Sequence, residues 1–259
     1  MKSRLGLAVV VCAGLGLAGQ VLAPLVAEPW RQRREREPAL RLEPGVAAAG
    51  QGVTLALLGG FRALVADAAW IQMYARWERR DLAGTEAFAR LVTTVDPRPV
   101  YFWLNAARIL AYDFPAWRIE AAGGYDAVPT AVQRGVNEAQ AAAALELLGA
   151  ARRRHPDSVD LWVEEANIQL NRRGDPLAAA AAYREAWARP RAPYYVARLR
   201  AEVLRRAGRR PEALAWLREI HPALPAGDPG AGAELVLQRI RELEAELGVP
   251  AGEAYRPTR

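Results

Sequence analysis

From Ala139 to Leu170 the chain reads AQAAAALELLGAARRRHPDSVDLWVEEANIQL. Ala144, Leu148 and Ala151 share one face of a helix, and Pro156, which lacks an N–H and crowds the preceding turn, stops it. Trp162 opens a second apolar-periodic run a few residues later. A connection that short leaves two helices no arrangement but an antiparallel pair.

The same grammar extends in both directions. Downstream, Gly174-Asp175-Pro176 supplies a residue that leaves a helix left-handed, a capping carboxylate and a proline suited to a first helical turn. Ala179, Tyr183 and Ala186 repeat the small, large, small series before Pro190 and Pro193. A further pair is expected over residues 194–207 and 211–220, with Gly208 at its turn and Ala213, Leu217 and Ile220 on the packing face. Asp228-Pro229 then begins an amphipathic helix through Leu235, Ile240, Leu243 and Leu247, closed by Gly248 and Pro250. That helix can cover the last apolar face while Arg239, Arg241, Glu242, Glu244 and Glu246 stay in water.

Upstream, Trp103 follows Pro97 by the interval that separates Trp162 from Pro156. Between these boundaries, residues 113–129 carry Pro115, Trp117, Gly123, Gly124 and Tyr125 and are expected as a long irregular loop, pinned by its aromatic residues. Leu57, Phe61, Leu64, Val65, Ala68, Trp70, Ile71, Tyr74 and Trp77 mark a helix after Val53 that turns at residues 81–84. Thr85 is placed to cap the next helix, which Asp96-Pro97 ends.

Composition agrees with helices alone. Of 259 residues, 52% are hydrophobic and eight are tryptophan, enough for a substantial core, and alternating β-branched runs are nearly absent. The formal charge of +6 comes from arginines interleaved with glutamates, the pattern of a solvated helical surface. Cys12 is the only cysteine, so one chain can form neither a disulfide framework nor a cysteine metal site.

The run from Leu5 to Ala27 contains no charged residue. It is long enough to cross a bilayer, which takes about 20 residues. We read it as a retained single-pass anchor in preference to a signal peptide cleaved after Ala27. Gly14, Gly16 and Gly19 have the spacing of a dinucleotide-binding turn, but no strand-helix alternation follows them. Residues 28–52, mixing arginines with Pro29, Pro38, Pro44 and glycines, read as a linker. A short basic start running into an apolar segment behaves as an export signal, so the body is expected on the extracytoplasmic side of a bacterial inner membrane.

Candidate chemistry is sparse. His155 and His221 each precede a proline at a helix end, where the ring is expected to meet carbonyls, and they are not at metal-binding spacing. Ser158 sits in a turn without a nucleophile motif, and no phosphate-binding glycine loop with its lysine is present. Glu164 and Glu165 are expected as surface charge. No cofactor, metal or catalytic residue is expected.

The small, large, small, proline series at Ala144, Leu148, Ala151 and Pro156 resembles a tetratricopeptide repeat boundary. Gly59-Gly60-Phe61-Arg62, with Asp67 and Trp70, is similar to a group of membrane-anchored bacterial tetratricopeptide-like proteins. The resemblance implies an all-α fold: a right-handed α-solenoid of antiparallel helix pairs over residues 53–222, preceded by a transmembrane helix (1–27) and linker (28–52) and closed by a capping helix and tail (223–259). It further implies a scaffold or adaptor for protein partners in an envelope complex, binding in a concave groove lined by first helices. The residues so placed are Tyr101, Leu104 and Arg108, then Asp160, Val163, Asn167 and Asn171, then Arg198, Glu202 and Arg205. The groove departs from the carboxylate-clamp version of the family by lacking its lysines. Two alternatives remain open: nucleic-acid binding by the arginine clusters at 152–154, 172–173, 205–206 and 209–210, which is disfavoured because no base-reading motif accompanies them, and an envelope enzyme with an unrecognised site.

Overall fold

The computed structural model describes residues 60–225 and 227–257. The anchor from Leu5 to Ala27, the linker, the glycine spacing at Gly14 and the start of the first helical pattern lie outside the described residues. Among the described residues every regular element is helical, and no helix is long and apolar enough to cross a membrane.

The helix α1 (Arg62–Glu78) is joined to α2 (Leu82–Val95) by a tight turn. The cap of α2 is Asp81 and not Thr85. Asp81 has extended backbone and its Oδ1 accepts from the Gly84 N–H at 2.9 Å, whereas Thr85 is buried within the first turn. A carboxylate three residues ahead reaches the orphan N–H first, which leaves the threonine hydroxyl nothing to cap.

From α3 (Val100–Arg108) the chain passes through a π-helical turn, Ile109–Asp113, straight into α4 (Phe114–Ala121). Much of the expected loop is therefore helix, and only residues 122–129 are irregular. The Phe114 N–H bonds to Ile109 O, five residues back, and Pro115 occupies the first turn of α4, where its missing N–H is not needed.

The deciding stretch folds as α5 (Thr130–Arg154) and α6 (Val159–Ile168), and α6 also runs on through a π turn, Gln169–Arg173. Gly174 then takes φ +63° and Asp175 Oδ1 accepts from the Ala178 N–H, starting α7 (Pro176–Trp187). Next come α8 (Tyr194–Arg206), α9 (Arg210–Ile220) and, after a 3₁₀ turn at His221–Ala223, α10 (Ala233–Glu246).

Packing follows chain order: α1 on α2, α2 on α3, α3 past α4 to α5, then each helix from α5 to α10 on the next, with α3 also touching α6. The short connections make the paired neighbours antiparallel. Ala144, Leu148 and Ala151 are fully buried and form a core with Trp103, Phe114, Leu161 and Ile168. The opposite face of α6 contributes Ala166 to a second core, built from Tyr183, Val196, Leu204, Trp216, Leu217 and Ile240. Helix α6 is thus the wall shared by both cores. At about 1.5–3 kcal/mol for each large apolar side chain buried, these contacts outweigh helix propensity in holding the pairs together.

Three details of the last helix differ from expectation. Asp228 binds the Gly230 N–H at 2.8 Å in a local turn, and α10 begins only after Gly232, at φ +62°. Val236, Leu237, Ile240 and Leu243 face the core, while Leu235 is 54% exposed and Leu247 is also exposed. Glu244, expected in water, is buried and accepts from Arg218 Nη2 at 2.6 Å and from the Tyr255 N–H at 2.7 Å. The tail folding back over α9 and α10 is what encloses it.

Candidate partner-binding surface

Tyr101, on α3, is 53% exposed and meets the Trp70 ring edge-on at 5.6 Å. It belongs to an aromatic patch shared with α1, because Trp70 also packs on Tyr74 and Phe102. Leu104 and Val163 are half-buried against the two cores and serve packing more than contact.

Arg108, on α3, lies within electrostatic reach of Asp160 on α6, Asn171 bonds Tyr112, and Asn167 faces Tyr183 on α7. Arg108 Nε and Nη2 lie 2.8 and 2.7 Å from Glu164 Oε2. The Glu164 side chain is 3% exposed and the Arg108 side chain 53%, so a carboxylate sits sealed in the helix interface with its guanidinium partner at the surface. Hydrogen bonding to Glu164 holds the Arg108 pKa above the ordinary arginine value against the opposing effect of burial, and Asp160 adds a smaller attraction.

Around this pair the π turns set two more groups. Tyr112, in the first, carries the Arg172 guanidinium, in the second, 4.3 Å from its ring centroid. Burial raises the Tyr112 phenol pKa, the Glu164 charge adds to the shift, and a hydrogen bond to Asn171 opposes it. Tyr183, on α7, donates its hydroxyl to Asn167 Oδ1 at 2.9 Å. Its pKa is raised by burial and, to a smaller degree, by Tyr195, Tyr112 and Glu164.

Tyr195 leads onto the third group. Arg198, Glu202 and Arg205 line a cleft of about 330 Å³ between α8, α9 and α10, together with Tyr195, Leu199 and Leu235. Glu202 accepts from Arg205 at 2.8 and 2.9 Å and from Arg206 at 2.7 Å, which lowers its pKa to about 2. Arg198 is held differently: its Nη1 donates to Ala231 O at 2.6 Å and Gly230 O at 3.2 Å, and among the described residues no carboxylate pairs with it. Of the ten residues, Leu104 and Val163 pack against the cores, and the other eight divide between an aromatic patch, polar groups on α3 and α6, and the α8–α10 cleft.

Glu164, Tyr112, Tyr183 and Tyr195 were not nominated by sequence reasoning, which placed Glu164 in solvent. A signal existed, since Leu161, Glu164 and Ile168 fall on one buried helical stripe at offsets of three and four residues. Glu165 is also not plain surface charge: it pairs with Arg152, and burial raises its pKa against that attraction.

Chemically the surface offers guanidinium forks, carboxamides and phenols, groups that hold a peptide backbone or a carboxylate. His155 Nε2 is 2.8 Å from Pro97 O, and His221 Nδ1 is 3.1 Å from the Tyr255 hydroxyl. Among the described residues no group of three or more His, Cys, Asp or Glu could hold a metal ion. No family model matches this chain, and no curated protein matches it.

Proposed function

We propose that this chain is a membrane-anchored, tetratricopeptide-like α-solenoid that acts as a scaffold or adaptor for other proteins of the bacterial cell envelope. The observation that carries the reading is that α3, α6 with its π turn, and α8 each carry polar side chains, Arg108, Asn167 and Asn171, and Arg198 and Glu202, the last two lining the α8–α10 cleft. A row of donors and acceptors on successive first helices is what a protein partner lying across them requires.

The state of the arginines favours protein over nucleic acid. Arg173 pairs with Glu138, Arg205 and Arg206 with Glu202, Arg209 with Glu212 and Arg210 with Glu246, while Arg152 and Arg172 cover Trp162 and Tyr112. Guanidiniums held by glutamates and rings release few counterions on meeting a phosphate backbone.

The test is crosslinking of the full chain in its native membrane, with a topology reporter after Arg259. Specific envelope proteins should be recovered, and Asn167→Ala should reduce their yield several-fold at unchanged expression. Equal recovery from the variant, or a reporter in the cytoplasm, overturns the reading.

A further inference from the structure

We infer that the α8–α10 cleft takes the apolar side chain of an acidic amphipathic segment in a partner protein, an assignment that rests on the adaptor reading and gives its partner a chemistry. The cleft has the volume of one to two large side chains, and its walls are mainly apolar. Leu199 is 36% and Leu235 54% exposed at its lip, on helices whose other faces are buried. Exposed leucines on facing helices form a socket for a helix or turn with apolar residues at three- and four-residue spacing.

Charge selects the occupant. Three guanidiniums, Arg198, Arg205 and Arg239, line the cleft against one carboxylate, Glu202, which Arg205 binds at 2.8 and 2.9 Å, while Arg239 is held by Glu242 outside the lining at 2.7 Å. Among the described residues no carboxylate pairs with Arg198. Carbonyls of Gly230 and Ala231 fix its Nη1, so the fork is oriented before any ligand arrives and its remaining N–H groups can receive a carboxylate in two-point contact. An apolar socket beside a pre-set arginine matches a leucine-type residue flanked by aspartate or glutamate. A second copy of this chain is a poor occupant, because the chain carries a formal charge of +6 and the rim is itself positive.

The experiment uses full-length protein in nanodiscs and two fluorescent peptides with the same leucines at helical spacing, one flanked by glutamates and the other by lysines. The glutamate peptide should bind at least ten-fold tighter, weaken with added salt, and lose at least ten-fold on Leu235→Asp or Arg198→Glu. Leu235 is exposed and Arg198 partly so, and a cooperative melt confirms that each variant folds. Equal binding of the two peptides, no binding of either, displacement of the glutamate peptide by oleate, or concentration-dependent self-association in place of peptide binding overturns the inference. The adaptor reading is scored separately by the Asn167→Ala crosslinking: retained partners lost from Asn167→Ala but not from Leu235→Asp would leave the adaptor standing and remove the cleft.

Discussion

Arg108 Nε donates to Glu164 Oε2 at 2.8 Å across 56 residues of chain, joining α3 to α6. The carboxylate is sealed and the guanidinium half in water, so the two partners are not equivalent. Removing Arg108 strands a charge with no route to solvent, whereas removing Glu164 leaves an arginine that water can satisfy.

Arg108→Ala should therefore destabilise the protein by about 2 kcal/mol, the scale of a lost hydrogen bond to a charged group with its partner left buried. Arg108→Ala combined with Glu164→Leu should recover part of that loss. Urea midpoints of the single and double variants measure it, and a double variant as unstable as the sum of the singles would contradict the buried-charge account.

Glu202 gives the acid side of the stability profile. Its folded pKa is about 2, lowered by Arg205 and Arg206. An unfolded glutamate titrates near about 4.3. The contribution is present above the unfolded value and is lost as pH falls through the folded one. Glu202→Gln should be less stable than the parent at neutral pH, and the gap should close between about pH 4 and pH 2. Thermal melts across that range provide the check.

Leu148 is fully buried where α5 meets α3 and α6. Leu148→Ala should cost about 2–5 kcal/mol through lost transfer energy and a residual cavity. Leu199→Ala, at the exposed lip of the cleft, should shift stability by less than about 0.5 kcal/mol. Denaturant titration of the pair separates a core leucine from an available one.

Gly232→Ala tests the pre-set fork. The glycine is at φ +62°, and a Cβ there would lie 2.8 Å from Arg198 Nη1. The substitution should cost about 1–2 kcal/mol of backbone strain and push Arg198 off its two carbonyls. A melting shift, with a loss of affinity for the glutamate-flanked peptide, is the expected joint signature.

Much of the helical grammar was legible because it is local. The Gly174-Asp175-Pro176 turn behaves as its residue types require, and the equal Pro97-to-Trp103 and Pro156-to-Trp162 spacings mark equivalent helix starts. The two tryptophans nevertheless differ. Trp103 Nε1 donates to Pro97 O at 2.9 Å, while Trp162 lies under the Arg152 and Arg189 guanidiniums at 4.2 and 5.7 Å. Spacing cannot distinguish them, because the guanidiniums over Trp162 come from segments outside its own helix. Neither π turn was foreseen either, since each inserts a wider turn into a run whose period looks α-helical.

The amino-acid sequence by itself determined the helical class and several of the helix boundaries, such as those at Pro156 and Gly174-Asp175-Pro176, since capping carboxylates, left-handed glycines and prolines act within a few residues along the chain. Only the tertiary structure decided which charges are buried and which leucines remain outside the core. Those outcomes depend on which helix face meets which neighbour, and that is set by summed packing across segments tens of residues apart.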